Sequence, residues 1–340
     1  MNKSLRITRD STRTATRRLV IDAIWRTQHA LVLSHRDPDA DSLGSALALG
    51  EALENRGAQA TVAIDSPELI APPLDDLLDV NRVLPLTVEL ADGQYDTVFV
   101  VDTASPALLG AESSLCEAAF RDRTVVNVDH HASNRRYGTI NYVEDKAAAT
   151  AEVLWMVFSD AGISCTEKMA VNLQTGLVGD TIGFQIADTS ARTLRAAASL
   201  MESGGLTHGT PRRVLNARTI IAARLYGAAL AEVQSTADGR IVWTSVTHDL
   251  VATVNARVEY SHGLPNALQE IVGAEIGAVF YEIGASTTRG SLRSTSYAIN
   301  GVAERFGGGG HQLAAGFTID QPIAVARRVV LDQLEKLLDG

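Results

Sequence analysis

The 340-residue chain is 46 % hydrophobic and carries a formal net charge of −10, enough apolar content for two buried cores and enough negative field to oppose long-range attraction to nucleic acid polymers. No apolar run reaches the roughly 18–20 residues that cross a bilayer, so no membrane partner is expected. Two cysteines, Cys116 and Cys165, are too few for a disulfide framework or a thiolate metal site, which points to a reducing cytoplasm.

Residues 1–18 (MNKSLRITRDSTRTATRR) are rich in Arg, Ser and Thr without apolar periodicity. They predict a flexible basic tail and lack the apolar core of a secretory signal. Only Lys3, Lys146, Lys168 and Lys336 among the 30 basic residues are lysine. That excess of arginine reads more simply as coding-sequence composition than as phosphate recognition.

From residue 19 to about 195, short β-branched runs alternate with helical patterns. ALVLS (30–34), QATVAI (59–64), DTVFVVD (96–102) and TVVNVD (124–129) read as buried strands. SLGSALALGEALENRG, closed by Gly57, and PALLGAESSLCEAAF read as the helices between them. The alternation predicts a mostly parallel, helix-covered sheet in an α/β domain. Residues 147–162, 166–180 and 189–205 continue as helices. A linker is expected over 196–236, with one long helix at 211–236. Residues 237–340 then predict a smaller α/β domain with strands in RIVWTSVTHDL, AEIGAVFYEIG and RGSLRS, and helices in LPNALQEIVG and over 321–340. No internal repeat or low-complexity tract is visible.

Ionisable residues gather where these strands end, the edge at which open α/β sheets bind ligands. Strand 30–34 runs into His35, Asp39 and Asp41; strand 96–101 into Asp102; strand 124–128 into Asp129-His130-His131; and helix 166–179 into Asp180. Singly, each has an ordinary reading: turn or N-cap for Asp39 and Asp41, cap of a helix at Pro106 for Asp102, surface for the histidines. Jointly, that reading needs independent accidents at four element ends. Carboxylates gathered without a cation repel and retain protons. Two divalent ions remove the conflict and can clamp a phosphoryl oxygen while activating water. Oxygen and imidazole donors without thiolate favour Mn²⁺, with Mg²⁺, Co²⁺ or Fe²⁺ as substitutes. Ser42 reads as the cap of the helix that follows.

H-x-x-P-D-x-D-S at 35–42, Asp102, D-H-H-x-x-N at 129–134 and Asp180 together resemble the ordered motifs of the DHH phosphoesterase superfamily. SLRS (291–294) and RFGGGGHQLAAGF (305–317) resemble the DHHA1 domain that accompanies it, and the length is closest to the nano-RNase and pAp-phosphatase branch. The resemblance implies an N-terminal DHH domain (19–195), a linker helix, a C-terminal DHHA1 domain (237–340) and an active-site cleft between them. It implies one metal held by His35, Asp39, Asp102 and Asp180, and another by Asp41, Asp102, His130 and Asp180. Asp129 would orient an imidazole, His131 would act on the departing group, and Asn134 would touch the nucleotide. Three departures stand out: Ala40 where glycine is frequent, GDTIGF where D-T-G-x-F is usual, and no acidic residue in YAINGVAERF before its helix.

Gly307–Gly310 predict a turn open to close backbone approach, with Gly308, Gly309, Gly310 and His311 against the substrate and Arg293 on a terminal phosphate. The activity implied is hydrolysis of short RNA oligonucleotides (2–5-mers) and linear dinucleotides such as pApA to mononucleotides, with removal of the 3′-phosphate of pAp. Long polymers are not expected to bind, and a homodimer stays open. The alternatives are a cyclic-dinucleotide phosphodiesterase, a pyrophosphatase or polyphosphatase, a RecJ-type exonuclease, and a non-catalytic nucleotide sensor on the same fold.

Overall fold

The computed structural model describes residues 9–70, 74–110, 113–205, 209, 213–215, 218–236, 238–261 and 263–339. They fall into two compact units divided between Ala217 and Arg218, each an α/β arrangement. No described helix is long and apolar enough to cross a membrane.

The first unit is built on six strands: β1 His29–Leu33, β2 Gln59–Ile64, β3 Leu84–Pro85, β4 Thr97–Val101, β5 Thr124–Asp129 and β6 Ile140–Val143. Their order is β3-β2-β1-β4-β5-β6 and every pairing is parallel. Both faces are covered, which is why β4 reads as an unbroken apolar run. Ala30, Val32, Phe99 and Val101 face one core, with residues of α1 Arg9–Arg26, α2 Ala40–Asn55, α5 Thr150–Ala161, α6 Glu167–Asp180 and α7 Ala191–Glu202. Leu31, Leu33, Val98 and Val100 face the other, with residues of α3 Val88–Ala91 and α4 Ser113–Phe120. The chain leaves β1 toward β2 on one side, and β4 toward β5 on the other. The tips of β1 and β4 therefore flank the point where the winding reverses, the place where open α/β sheets bind ligands.

Residues 9–18, expected in a flexible tail, belong to α1. Composition misleads because ion pairs do much of the docking: Arg13 reaches Glu144 at 3.0 Å and Asp145, and Arg17 meets Asp160 at 2.9 Å. Val20 and Ile24 anchor the rest in the core. Strands β3 and β6 were not legible; the first has two exposed residues and the second is a half-buried edge.

The second unit has strands β7 Gln234–Ser235, β8 Ile241–Val246, β9 Ile276–Gly284, β10 Thr287–Ser294, β11 Gly309–His311 and β12 Ala314–Ile319, ordered β11-β12-β10-β9-β8-β7. Only β8–β9 is parallel. The expected helix over 211–236 is instead Ile220–Ala231, started by Thr219, whose hydroxyl accepts the Ala222 amide. Leu225 and Ala229 bury it in this unit's own core, and the chain is already strand at Gln234. Residues 211–212 and 216–217 of that expectation lie outside the described residues. Ala196, Ala197 and Leu200, expected in the linker, are buried in the core of the first unit.

Candidate metal centre

His35 follows β1 and Asp102 follows β4, so the reversal of winding puts them side by side. The His35 Nε2 lies 3.5 Å from both Asp39 Oδ2 and Asp102 Oδ2. On the other side of Asp102, His130 Nε2 is 3.6 Å from Oδ1 and 3.2 Å from Asp180 Oδ2. Ligand-type atoms of His35, Asp39 and Asp102 fall within 4.8 Å of one another, as do those of Asp41, His130 and Asp180. Asp102 thus presents one oxygen to each group. It adopts φ 52°, a left-handed conformation that is uncommon outside glycine and concentrates at functional sites.

The acids also serve the fold. Asp39 caps α2 by accepting the Ser42 amide at 2.8 Å, and Ser42 Oγ accepts the Asp39 amide at 3.0 Å. Ser42 is therefore the third helical residue of a reciprocal capping box and not the cap itself. Asp41 Oδ2 accepts the Thr150 amide at 2.6 Å and Oδ1 the Ala151 amide at 2.9 Å, taking up donors that the first turn of α5 leaves unpaired. The Thr150 hydroxyl donates to Asp102 Oδ1 at 2.9 Å. These positioning groups had no signal in the sequence. Nor had Gly176, where an added Cβ would stand 2.8 Å from Asp41 Oδ1; only glycine lets α6 pass this close to the acid.

The two histidines are held differently. His130 Nδ1 faces the Ala147 carbonyl at 3.3 Å, which favours the tautomer whose Nε2 lone pair points at Asp102 and Asp180. His131 Nδ1 lies 2.8 Å from Asp129 Oδ1. Asp129 also accepts the amides of His130 (2.7 Å) and His131 (3.2 Å) and, on Oδ2, the Asn134 side chain at 2.6 Å. So engaged, Asp129 orients His131. Asn134, expected against the nucleotide, is spent inside the protein on Asp129, Asn127 and the Thr103 carbonyl.

Burial and the neighbouring charges of Asp102 and Asp39 push the Asp41 carboxyl well above its ordinary range. Burial with Asp41 and Asp102 does the same to Asp180. Burial opposes protonation of His35, but Asp39 and Asp102 outweigh it and raise its pKa well above the ordinary value. Burial likewise opposes a proton on His131, and the Asp129 hydrogen bond with the Asp102 charge still raises it to about 9. Without a cation the cluster therefore keeps protons that a divalent ion would replace. Its oxygen and imidazole donors suit such ions.

In the second unit, β11, β12 and β10 place residues in rows. His311, Ala314 and Arg293 pair across the three strands, as do Gly309, Gly316 and Ser291. The GGGGH segment, expected as a turn, is thus partly an edge strand. Helix Asn300–Arg305 ends before Gly307 at φ 74°. Its glycines have different duties. A Cβ on Gly308 would stand 2.0 Å from the Gly316 carbonyl oxygen, and one on Gly310 would stand 2.5 Å from that of Ala314, whereas one on Gly309 meets nothing within 4 Å. Gly308 and Gly310 serve the packing; Gly309 is the open position. Arg293 Nε donates to Asn266 Oδ1 at 2.9 Å, which fixes the guanidinium.

A profile of the DHH family N-terminal domain matches residues 29–177, and one of the DHHA1 domain matches residues 249–339. The chain belongs to the DHH family. It is 29 % identical over 307 residues to the bifunctional oligoribonuclease and PAP phosphatase NrnA of Thermus thermophilus, spanning 89 % of this chain and 88 % of that one. It is 26 % identical over 293 residues to the protein of the same name from Bacillus subtilis, at 84 % and 87 %. An exopolyphosphatase-related protein from Bacteroides fragilis has the same fold, with a TM-score of 0.86 at 20 % identity over 96 % of this chain and 98 % of that one.

Within the DHH domain, the departure at GDTIGF has a structural counterpart. Ile182, Gly183 and Phe184 follow one another at φ 49°, 67° and 69°, so a β-branched residue occupies a left-handed position directly after the Asp180 helix.

Proposed function

We propose that the protein is a two-metal-ion phosphoesterase of the cytoplasm that hydrolyses RNA oligonucleotides of two to five residues and linear dinucleotides such as pApA to mononucleotides, and removes the 3′-phosphate of pAp. The observation that carries this reading is Asp102 at the winding reversal, with Oδ2 3.5 Å from His35 Nε2 in one donor group and Oδ1 3.6 Å from His130 Nε2 in the next. One ion would be held by His35, Asp39 and Asp102, the other by Asp41, His130 and Asp180 with Asp102 shared; Asp180, which the resemblance puts on both ions, groups here with Asp41 and His130. Bound divalent ions, of which Mn²⁺ fits this donor set best, would supply a water-derived nucleophile and offset phosphate charge. Relatives named as oligoribonuclease and PAP phosphatase at 26 and 29 % identity support the substrate class.

The remaining roles belong to side chains. Water adds to phosphorus and gives up a proton to solvent. The bond from phosphorus to the sugar oxygen breaks with its electron pair, and that oxygen takes a proton from His131 Nε2. Asp129 holds the other nitrogen and so aims the ring. Arg293, steadied by Asn266, would grip a further phosphate through its fork. Gly309 and Gly316, with Ala314 beside His311 in the next row, form a nearly side-chain-free floor on which a base or sugar can lie. An acidic protein should accept short anions more readily than long polymers, which feel the whole field.

The test is a turnover panel with Mn²⁺ on pAp, pApA, 2–5-mer and 24-mer RNA, pyrophosphate and a cyclic dinucleotide. We expect kcat/KM at least about tenfold higher on 2–4-mers than on 24-mers at physiological salt, a preference set by the electrostatic cost of long polyanions. Equal rates across lengths would point to a processive exonuclease, and turnover of pyrophosphate or the cyclic dinucleotide alone would replace the substrate class.

A further inference from the structure

Strand β5 is apolar and buried, yet at its centre stands Asn127, with no solvent exposure. A polar side chain there is costly unless each of its groups finds a partner. Asn127 finds them all. Its Nδ2 donates to the Val100 carbonyl and to the Tyr137 hydroxyl, both at 3.2 Å. Tyr137 in turn donates to the Thr103 carbonyl at 3.0 Å. The Oδ1 accepts from Asn134 Nδ2 at 2.7 Å, and the same Asn134 nitrogen donates to Asp129 Oδ2 at 2.6 Å. Asp129 Oδ1 then faces His131 Nδ1 at 2.8 Å.

We propose that Asn127 is a positioning residue for His131, acting through Asn134 and Asp129, with Tyr137 as its outer anchor. Asn134 has two amide protons. Asn127 fixes one and thereby turns the other onto Asp129 Oδ2, leaving Oδ1 for the imidazole. Asn134 is also held by the Arg136 amide on its Oδ1 at 2.6 Å and by the Thr103 carbonyl at 3.3 Å; losing Asn127 removes the short contact that shares its Nδ2 with Asp129, so the grip on Asp129 and the aim of His131 loosen. Fully satisfied buried networks of this kind rigidify a site beyond their pairwise contacts. The inference rests on the reading of His131 as proton donor to the departing oxygen.

The experiment compares two substrates on the metal-loaded full chain: pApA, whose departing sugar oxygen needs a proton, and bis-p-nitrophenyl phosphate, whose departing phenolate does not. Asn127→Leu should lower kcat on pApA by about 10–100-fold, the usual scale for losing an outer-shell partner, with KM and metal content unchanged and kcat on the nitrophenyl ester nearly so. Tyr137→Phe removes only the anchoring hydroxyl and should show the same selectivity more weakly; it carries the test alone if Asn127→Leu does not fold. His131→Ala is the reference. If it is selective for pApA and the Asn127 and Tyr137 variants slow both substrates equally, or neither, the positioning role is wrong. If His131→Ala itself slows both equally, the proton-donor reading fails and this inference goes with it.

Discussion

Around Asp102 the first unit surrounds its charged groups with fixed donors, whereas the Gly309–Gly316–Ala314 floor of the second unit is almost bare of them. Asp39, Asp41, Asp102 and Asp129 each accept at least one hydrogen bond from a named amide or hydroxyl. On the other surface Arg293 is tied to Asn266. The difference separates two tasks. Bond breaking tolerates little geometric error, so its residues are over-determined. On the proposed function, holding a variable nucleotide in the second unit tolerates more, so backbone and small side chains suffice. Breaking each region should therefore damage a different kinetic constant.

The largest effect should come from Asp102→Ala. Its carboxylate faces both donor groups, so we expect both ions to be lost and turnover to vanish. Metal analysis of the purified variant, beside turnover, checks this; an active variant that retains two ions would remove Asp102 from the shared position. Arg293→Ala should act on the opposite side of the comparison. Losing one charge-assisted forked contact costs about 1.5–3 kcal/mol, or roughly 10–150-fold, and should appear in KM with metal content intact. On bis-p-nitrophenyl phosphate, which offers no further phosphate, the effect should nearly disappear. An equal loss on that ester would make Arg293 a support of the fold and not a substrate grip.

The two regions also differ in how far they can be read from sequence. Strand-tip acids at short spacing, as in 35–42 and 129–131, declare themselves because a strand ends in one place and a short β-branched apolar run locates it. The partners that aim them do not, because they are distant in the chain: the amides that hold Asp41 lie 109 and 110 residues away. Asn134 illustrates the limit. Its place in D-H-H-x-x-N marks it as functional, but only the fold shows that its amide points inward to Asp129 and Asn127. In the second unit, four consecutive glycines look equivalent as a string. Register separates them, because Gly308 and Gly310 lie against the β12 backbone while Gly309 does not. Helix α1 was hidden for a third reason: ion pairs to distant acids hold a segment with little apolar periodicity.

The smallest expected effect sharpens the comparison at the level of backbone. In its glycine-rich segment the second unit places glycine where it needs positive φ, at Gly307 (φ 74°) and Gly310 (φ 139°), and elsewhere it uses Asn255 (φ 51°), a residue that tolerates this region. The first unit instead places Ile182 at φ 49°. A left-handed β-branched residue carries strain of about 1–2 kcal/mol, while glycine costs about 0.5–1 kcal/mol in chain entropy. Ile182 is half-buried and, unlike Phe184, is not among the residues packed against the main core of this unit, so truncation loses only part of a core side chain's burial. Ile182→Gly should therefore be neutral or stabilising by up to about 1 kcal/mol in urea unfolding, unlike a typical Ile truncation, which costs about 2–5 kcal/mol. Gly307→Ala should go the other way, by about 1 kcal/mol, because alanine enters the left-handed region at a cost that glycine avoids. If Ile182→Gly destabilised the first unit by more than about 2 kcal/mol, the isoleucine side chain, and not the backbone around it, would be what holds the turn after Asp180.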